Sequence, residues 1–370
     1  MKINLCYNNR LPKRDETISL WLITLGLLIV ALSLALSSSF YSEWAALGFT
    51  LVVLNMTNCL VFKMPFFPYD RVLSATSNED QLIWHKEPGV RVDVGQNKQV
   101  YYPKVITLSK GWRMYYRAGG NRAYIASAYS PDGLDWIEDP GVRVSYKDCN
   151  DDIVSIEGCD IVESEKGKRL MYFSATDGIC WRIYMSESDD GFNWSKGIRC
   201  IDVLEDDINS NVKAPSVIKL RQGGWQMFFM KFSTTTISFC TSLSCDGFVW
   251  SKPMTCEGIE TDEIWIRNPL VIQMETGLRM YFSQRRFKSD PRGAEIYSAT
   301  SLDGIHWERE EGVRIGPGSA YDRHGIFNVD IVPIDSGYRM YYTGYWGRHW
   351  FEPLTMRYYS KVREKENKAC

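Results

Sequence analysis

Four segments of this chain repeat one pattern, SxDGxxW: "SPDGLDW" at Ser130, "SDDGFNW" at Ser188, "SCDGFVW" at Ser244 and "SLDGIHW" at Ser301. Asp132 and its counterparts Asp190, Asp246 and Asp303 can accept backbone N–H bonds in a tight turn, while the glycine that follows takes a left-handed conformation. The serine can close the same turn. The tryptophan is then expected to fold over the edge of a sheet and bury a large ring against a neighbour. Four equivalent aspartates spread around a rim cannot converge on one substrate, so the motif reads as scaffold.

Each motif belongs to a longer unit. Upstream lie a glycine and a strand, "GWRMYYRAG" at Gly111, "GKRLMYFSA" at Gly167, "GGWQMFFMK" at Gly223, "GLRMYFSQ" at Gly277 and "GYRMYYTG" at Gly337. Further upstream comes a short apolar strand, starting at Tyr102, Cys159, Ala214, Asn268 and Val329, a recurrence of 54 to 61 residues. Turn glycines and period-2 alternation without helical periodicity make each unit a four-stranded antiparallel sheet. Five such units predict an all-β, five-bladed β-propeller. At the ends, "WHKEPGVRV" at Trp84 is a fourth strand lacking its first three, while the last unit reaches "MRYYSK" at Met356 and stops. The amino-terminal strand is therefore expected to complete the final blade, leaving no open edge to template aggregation.

The amino terminus differs in composition from the rest of the chain. Residues 17–42 carry no charge, nor do residues 44–62, and Glu43 alone separates them. Each run is long enough to cross a bilayer, which predicts a transmembrane helical hairpin. Arg10, Lys13 and Arg14 precede it, and Lys63 and Arg71 follow it, so both ends are expected in the cytoplasm. A signal peptide cleaved near "LALSSS", exporting the remainder, is the alternative. The expected organisation is a leader over 1–16, the hairpin over 17–63, a linker over 64–80, the propeller over 81–361 and a polar tail over 362–370.

A net charge of −2 excludes a nucleic-acid binder by charge. The ten cysteines form no CxxC and no Cys/His cluster, so they read as thiols rather than zinc ligands or a disulfide framework. No cofactor motif and no metal site is evident. An ion such as calcium in the central channel, held by Asp160, Asp330 and carbonyls, is compatible with the residues.

In a propeller the first strand of each blade lines the channel, and its start, with the loop joining the second and third strands, forms one mouth. The strand starts contribute Tyr101, Tyr102, Lys104, Glu157, Asp160, Lys213, Trp265, Arg267, Asn268 and Asp330. The loops add Arg117, Trp181, Lys231, Arg285, Arg286 and His349. Aromatic faces beside charged hydrogen-bonding groups suit a sugar, whose C–H face stacks while its hydroxyls need directional partners. Arg117, Lys213, Lys231, Arg267, Arg285 and Arg286 crowd this mouth, so its field favours an anionic ligand such as a uronate, a sialate, or a phosphorylated or nucleotide-linked sugar.

Five blades, an amino-terminal closing strand, and "YPKVI" followed by "GWRMYY" and an SxDGxxW turn, with "APSVI" and "NPLVI" as its counterparts, resemble the five-bladed propeller glycosidases of glycoside hydrolase families 43, 32 and 68. The resemblance covers roughly residues 80 to 361. In family 43 it implies an aspartate base on the first blade, a glutamate acid on the third, and a second-blade aspartate that orients the site. Position by position, the second-blade aspartate falls on Asp160, the base on Tyr102 and the acid near Lys213, so two of the three carboxylates are missing. Glycoside hydrolysis ordinarily needs two. Asp160 and Asp330 are the expected acid/base pair, with Glu263 or Glu157 in reserve, and Tyr102 could be a nucleophile as in sialidases. Substrate contacts are expected from Tyr102, Arg117, Lys213, Lys231, Trp265, Arg267, Asn268, Arg285, Arg286 and His349. Two functions follow: a membrane-tethered glycosidase-like enzyme acting on a charged glycan or activated sugar, or a non-catalytic carbohydrate-binding propeller serving polysaccharide assembly.

Overall fold

The repeat turns form as their chemistry dictates. In a computed structural model describing residues 69–78, 80–93, 99–120, 122–201, 210–233, 237–259, 265–285, 293–323 and 325–346, Gly133, Gly191, Gly247 and Gly304 have φ between +74° and +83°. Each serine Oγ accepts the glycine N–H at 2.8–2.9 Å. Each aspartate Oδ1 accepts the two N–H groups that follow at 2.7–3.0 Å. These backbone bonds hold Asp132, Asp190 and Asp246 below the usual carboxylate range.

Every turn belongs to one of five antiparallel sheets. The inner strands are Val100–Thr107, Ser155–Glu163, Asn211–Lys219, Trp265–Gln273 and Ile326–Ile334. Outside them run Trp112–Ala118, Arg169–Thr176, Trp225–Phe232, Leu278–Arg285 and Gly337–Trp346. These second strands are covered on both faces by neighbouring blades, which is why they read as unbroken apolar runs rather than alternating ones. Met114, Tyr115 and Tyr116 are all fully buried, as are Met280, Tyr281 and Phe282. The apolar clusters accordingly lie between blades: Tyr115 and Ile125 of the first pack with Ile156, Met171 and Phe173 of the second.

The tryptophans join one blade to the next. Tyr115, Tyr172, Phe228, Tyr281 and Tyr341, one from each second strand, meet Trp194, Trp250, Trp307, Trp84 and Trp136 edge to face, with centroids 5.6–6.3 Å apart. Each such pair adds about 0.5–1.5 kcal/mol beyond its buried area. Four of the five second-strand rings are tyrosines, and each hydroxyl donates to the carbonyl of the left-handed residue in the next turn, at 2.8–3.0 Å. Glycine is needed there for room as well as for φ. A Cβ on Gly191 would sit 2.6 Å from the Tyr115 hydroxyl.

Two amino-terminal strands, rather than one, close the ring. Tyr69–Ser77 is the third strand of the final blade and His85–Lys86 the fourth, in the order His85–Lys86, Tyr69–Ser77, Gly337–Trp346, Ile326–Ile334. The stretch expected to be a linker thus holds a strand from Tyr69 onward, and Met356 to Lys361, expected to fill that position, lie outside the described residues. The turn between the two strands is a fifth copy of the repeat, "SNEDQLIW" over Ser77 to Trp84. Asp80 Oδ1 accepts the Leu82 N–H at 3.1 Å, Trp84 Nε1 donates to the Gln81 carbonyl at 3.0 Å, and Gln81 takes the glycine's place at φ +57°. One extra residue and the missing glycine hid it. Left-handed backbone costs a residue with a Cβ about 1 kcal/mol. Gln81→Gly is therefore expected to stabilise the protein by about that amount in urea unfolding, and a loss of stability would show that the side chain carries more than the turn.

Ion pairs fix the closure. Lys86 Nζ lies 2.6 Å from Asp322, and Arg339 Nε and Nη2 grip Glu87 at 2.9 and 3.1 Å. No disulfide joins cysteines among the described residues. No helix among the described residues is long and apolar enough to cross a membrane; the two uncharged runs lie outside them.

Candidate functional site

All five inner strands slip register near their start, between Tyr101 and Lys104, Glu157 and Cys159, Lys213 and Ser216, Arg267 and Leu270, and Phe327 and Val329. Four of the five bulges contain a left-handed residue, Tyr102, Ala214, Asn268 or Asn328, at φ +48° to +57°. A bulge re-aims the side chains around it. By register, Tyr101, Glu157, Lys213, Arg267 and Phe327 are equivalent and precede the bulge. Lys104, Asp160, Ser216, Leu270 and Asp330 are equivalent and follow it, lining a pit on the propeller axis.

That pit is small. Its volume is about 40 Å³, room for roughly two or three waters and far less than a sugar ring. Asp160 and Asp330 are both buried there, and Lys104 Nζ bridges them at 2.8 and 3.2 Å. The other oxygen of each carboxylate accepts a backbone N–H from the following blade, Val217 to Asp160 and Val105 to Asp330, both at 2.6 Å. Asp160 Oδ1 also takes the Ile161 N–H at 2.7 Å. Burial pushes the Asp330 carboxyl up, against the pull of Lys104 and the Val105 N–H. Burial alone would lower the Lys104 ammonium, but Asp160 and Asp330 outweigh it and raise it.

Calcium needs six to eight oxygen ligands. Here an ammonium stands between the two carboxylates instead, so the donor set does not fit the ion. Among the described residues no group of three or more His, Cys, Asp or Glu side chains could hold a metal.

Tyr102 covers the pit. Its ring crosses to blade 2, where a Cβ on Gly158 would overlap it, and its hydroxyl donates to Asn268 Oδ1 at 3.1 Å and lies 3.4 Å from Glu157 Oε2. Burial, with Glu157 nearby, drives its phenol well above the ordinary value, away from a phenolate nucleophile. Above it Lys213 Nζ pairs with Glu157 at 3.1 Å and lies over the rings of Trp181 and Phe232, 5.2 and 5.4 Å from their centroids. Burial would raise Glu157, but Lys213, Arg117 and Arg267 hold it below the usual range, ionised. Arg117 lies over Tyr101 at 5.1 Å and donates to the Gly119 and Gly120 carbonyls.

The structure thus gathers Tyr102, Glu157, Lys213, Asn268, Arg267 and Arg117 at one mouth and puts Asp160 and Asp330 beneath it. Lys231 and Arg285 stand at the mouth ends of their second strands, facing Val212 and Trp265 in register. Glu263, Arg286 and His349 lie outside the described residues. One residue was missed. Asp70, in the stretch expected to be a linker, is buried at the seam of blades 5 and 1, beside the Tyr101 hydroxyl and the Arg117 guanidinium. The alternating "YDRVLSATS" before Trp84 was the available signal.

No family model and no curated protein matches the sequence. Solved structures do. A glycoside hydrolase is 16% identical with a TM-score of 0.57, over 70% of this chain and 92% of that one. A thermostable family-43 glycoside hydrolase is 14% identical with a TM-score of 0.54, over 68% and 90%. An endo-arabinase from Bacteroides thetaiotaomicron is 14% identical with a TM-score of 0.51, over 66% and 88%. Identities this low speak for architecture, and on that ground the chain has the five-bladed propeller fold of the family-43-type glycoside hydrolases.

Proposed function

We propose that this chain is a glycosidase-like propeller that binds an anionic glycan or activated sugar at the mouth above Tyr102, without hydrolysing it through the axial carboxylates. One observation carries this reading: Lys104 ion-pairs both Asp160 and Asp330 under the Tyr102 ring. A general acid or base must reach the proton it transfers. The mouth offers recognition groups instead: the Trp181 and Tyr101 rings, the Asn268 amide, and the cations Lys213, Arg267 and Arg117. The fold's known hosts include glycoside hydrolases, which supports a carbohydrate as the ligand. Residues 17–63 would tether the propeller to a membrane, as polysaccharide assembly on that surface would require.

Titration calorimetry with uronate-containing and neutral oligosaccharides tests this. Losing one hydrogen bond to a charged group costs about 1.5–3 kcal/mol, so Lys213→Ala and Arg267→Ala are each expected to weaken uronate binding roughly 10- to 100-fold. Neutral sugars should bind equally to all three proteins. Equal losses for both ligands would remove the anionic reading.

Hydrolysis is the second reading, favoured by two carboxyls displaced in opposite directions, Asp330 up and Glu157 down, the asymmetry an acid/base pair needs. Turnover of aryl glycosides that is lost in Asp330→Asn and in Glu157→Gln would establish it.

A further inference from the structure

Two carboxylates facing one another in a buried pit repel and are stripped of water, and such a pair persists only with compensating positive charge. On the axis that charge comes from the chain itself. Asp330 of blade 5 holds Lys104 and the Val105 N–H of blade 1; Asp160 of blade 2 holds Lys104 and the Val217 N–H of blade 3. Ser216 of blade 3 continues the belt by accepting the Val271 N–H of blade 4 at 2.9 Å. The series stops at Leu270, where blade 4 presents an apolar side chain to the same pit.

We infer that Lys104 is a built-in axial cation, a covalently attached ammonium that bridges Asp160 and Asp330 in the place of an ion and so makes the closed ring independent of any soluble divalent ion. The inference concerns the pit alone and does not depend on what the mouth binds. It commits the axial carboxylates to holding blades 5, 1, 2 and 3 together. With the ammonium removed, two carboxylates remain with only N–H donors between them. They must then take up a proton or recruit a cation from solution.

Thermal unfolding of the full-length protein in detergent reads this out. The wild-type midpoint should be the same in EDTA and in millimolar calcium. Lys104→Met in EDTA at pH 8 should unfold about 10 °C lower, and should recover with calcium or at pH 5. Asp160→Asn/Asp330→Asn, which strands the ammonium, should be destabilised without rescue by calcium. Lys104→Met/Asp160→Asn/Asp330→Asn should fold and respond to neither chelator nor calcium. If Lys104→Met does not accumulate in cells, the double and triple variants and the wild-type chelator test decide on their own. A wild-type midpoint that falls in EDTA would overturn the inference, as would a double variant rescued by calcium or a Lys104→Met protein as stable as wild type.

Discussion

Asp322→Ala is expected to cost the propeller about 3–5 kcal/mol, the range for breaking a buried, hydrogen-bonded ion pair. Asp322 is fully buried, and its Oδ2 accepts Lys86 Nζ at 2.6 Å and the Tyr342 hydroxyl at 3.1 Å. Its Oδ1 accepts the Gly318 and Ser319 N–H groups at 3.0 and 2.6 Å. Truncation strands an ammonium, a phenol and two amides in the seam that closes the ring. Burial alone would raise this carboxyl, but Lys86 and the two amides outweigh it and hold it below the ordinary range. A depressed folded value means the contribution is present above the unfolded carboxylate range, near pH 4, and is lost as pH falls through the lower folded value. The gap between wild type and Asp322→Ala in urea unfolding should therefore be full at pH 7 and shrink toward pH 3. A gap unchanged at pH 3 would mean that lost packing, not charge, explains it.

The opposite sign is expected at Asp70. Burial pushes its carboxyl up to about 7, against the weaker pulls of Tyr101, Arg117 and Arg71. A raised folded value favours the neutral acid, so the contribution of Asp70 to stability should be greatest below about pH 4, decline as pH rises toward 7, and level off above. Asn keeps the shape of the neutral acid and cannot ionise. Asp70→Asn should gain about 2–4 kcal/mol at pH 8.5 and almost nothing at pH 4. If the variant is less stable at both pH values, the carboxylate is held by a partner in the seam and the assignment fails.

The blades were legible because a turn writes its requirements locally. Ser, Asp, Gly and Trp must fall at fixed spacing for the hydrogen bonds of residues 130–136 to form, and no distant residue alters that. Closure was half legible. Trp84 gave away the outer strand, but Gln81 meets the same geometric demand as a glycine by accepting strain, and pattern matching does not see strain. Site residues are harder because their meaning is set across blades. That Asp160 and Asp330 belong on the axis followed from their strand positions, whereas the bridge from Lys104 depends on the bulges that turn three different strands inward. Asp70 escaped for a related reason: its strand is separated by about 260 residues from the one it pairs with.

That separation has a cost during biosynthesis. The third strand of the final blade, Tyr69–Ser77, leaves the ribosome early, yet its inner hydrogen-bonding neighbour Gly337–Trp346 comes last among the blades. At bacterial or eukaryotic elongation speeds of roughly 5–20 residues per second, the early strand waits on the order of 15–50 s for that inner neighbour. Throughout that interval the nascent chain exposes an unpaired β-edge, so factors that shield such edges should raise the yield of folded protein.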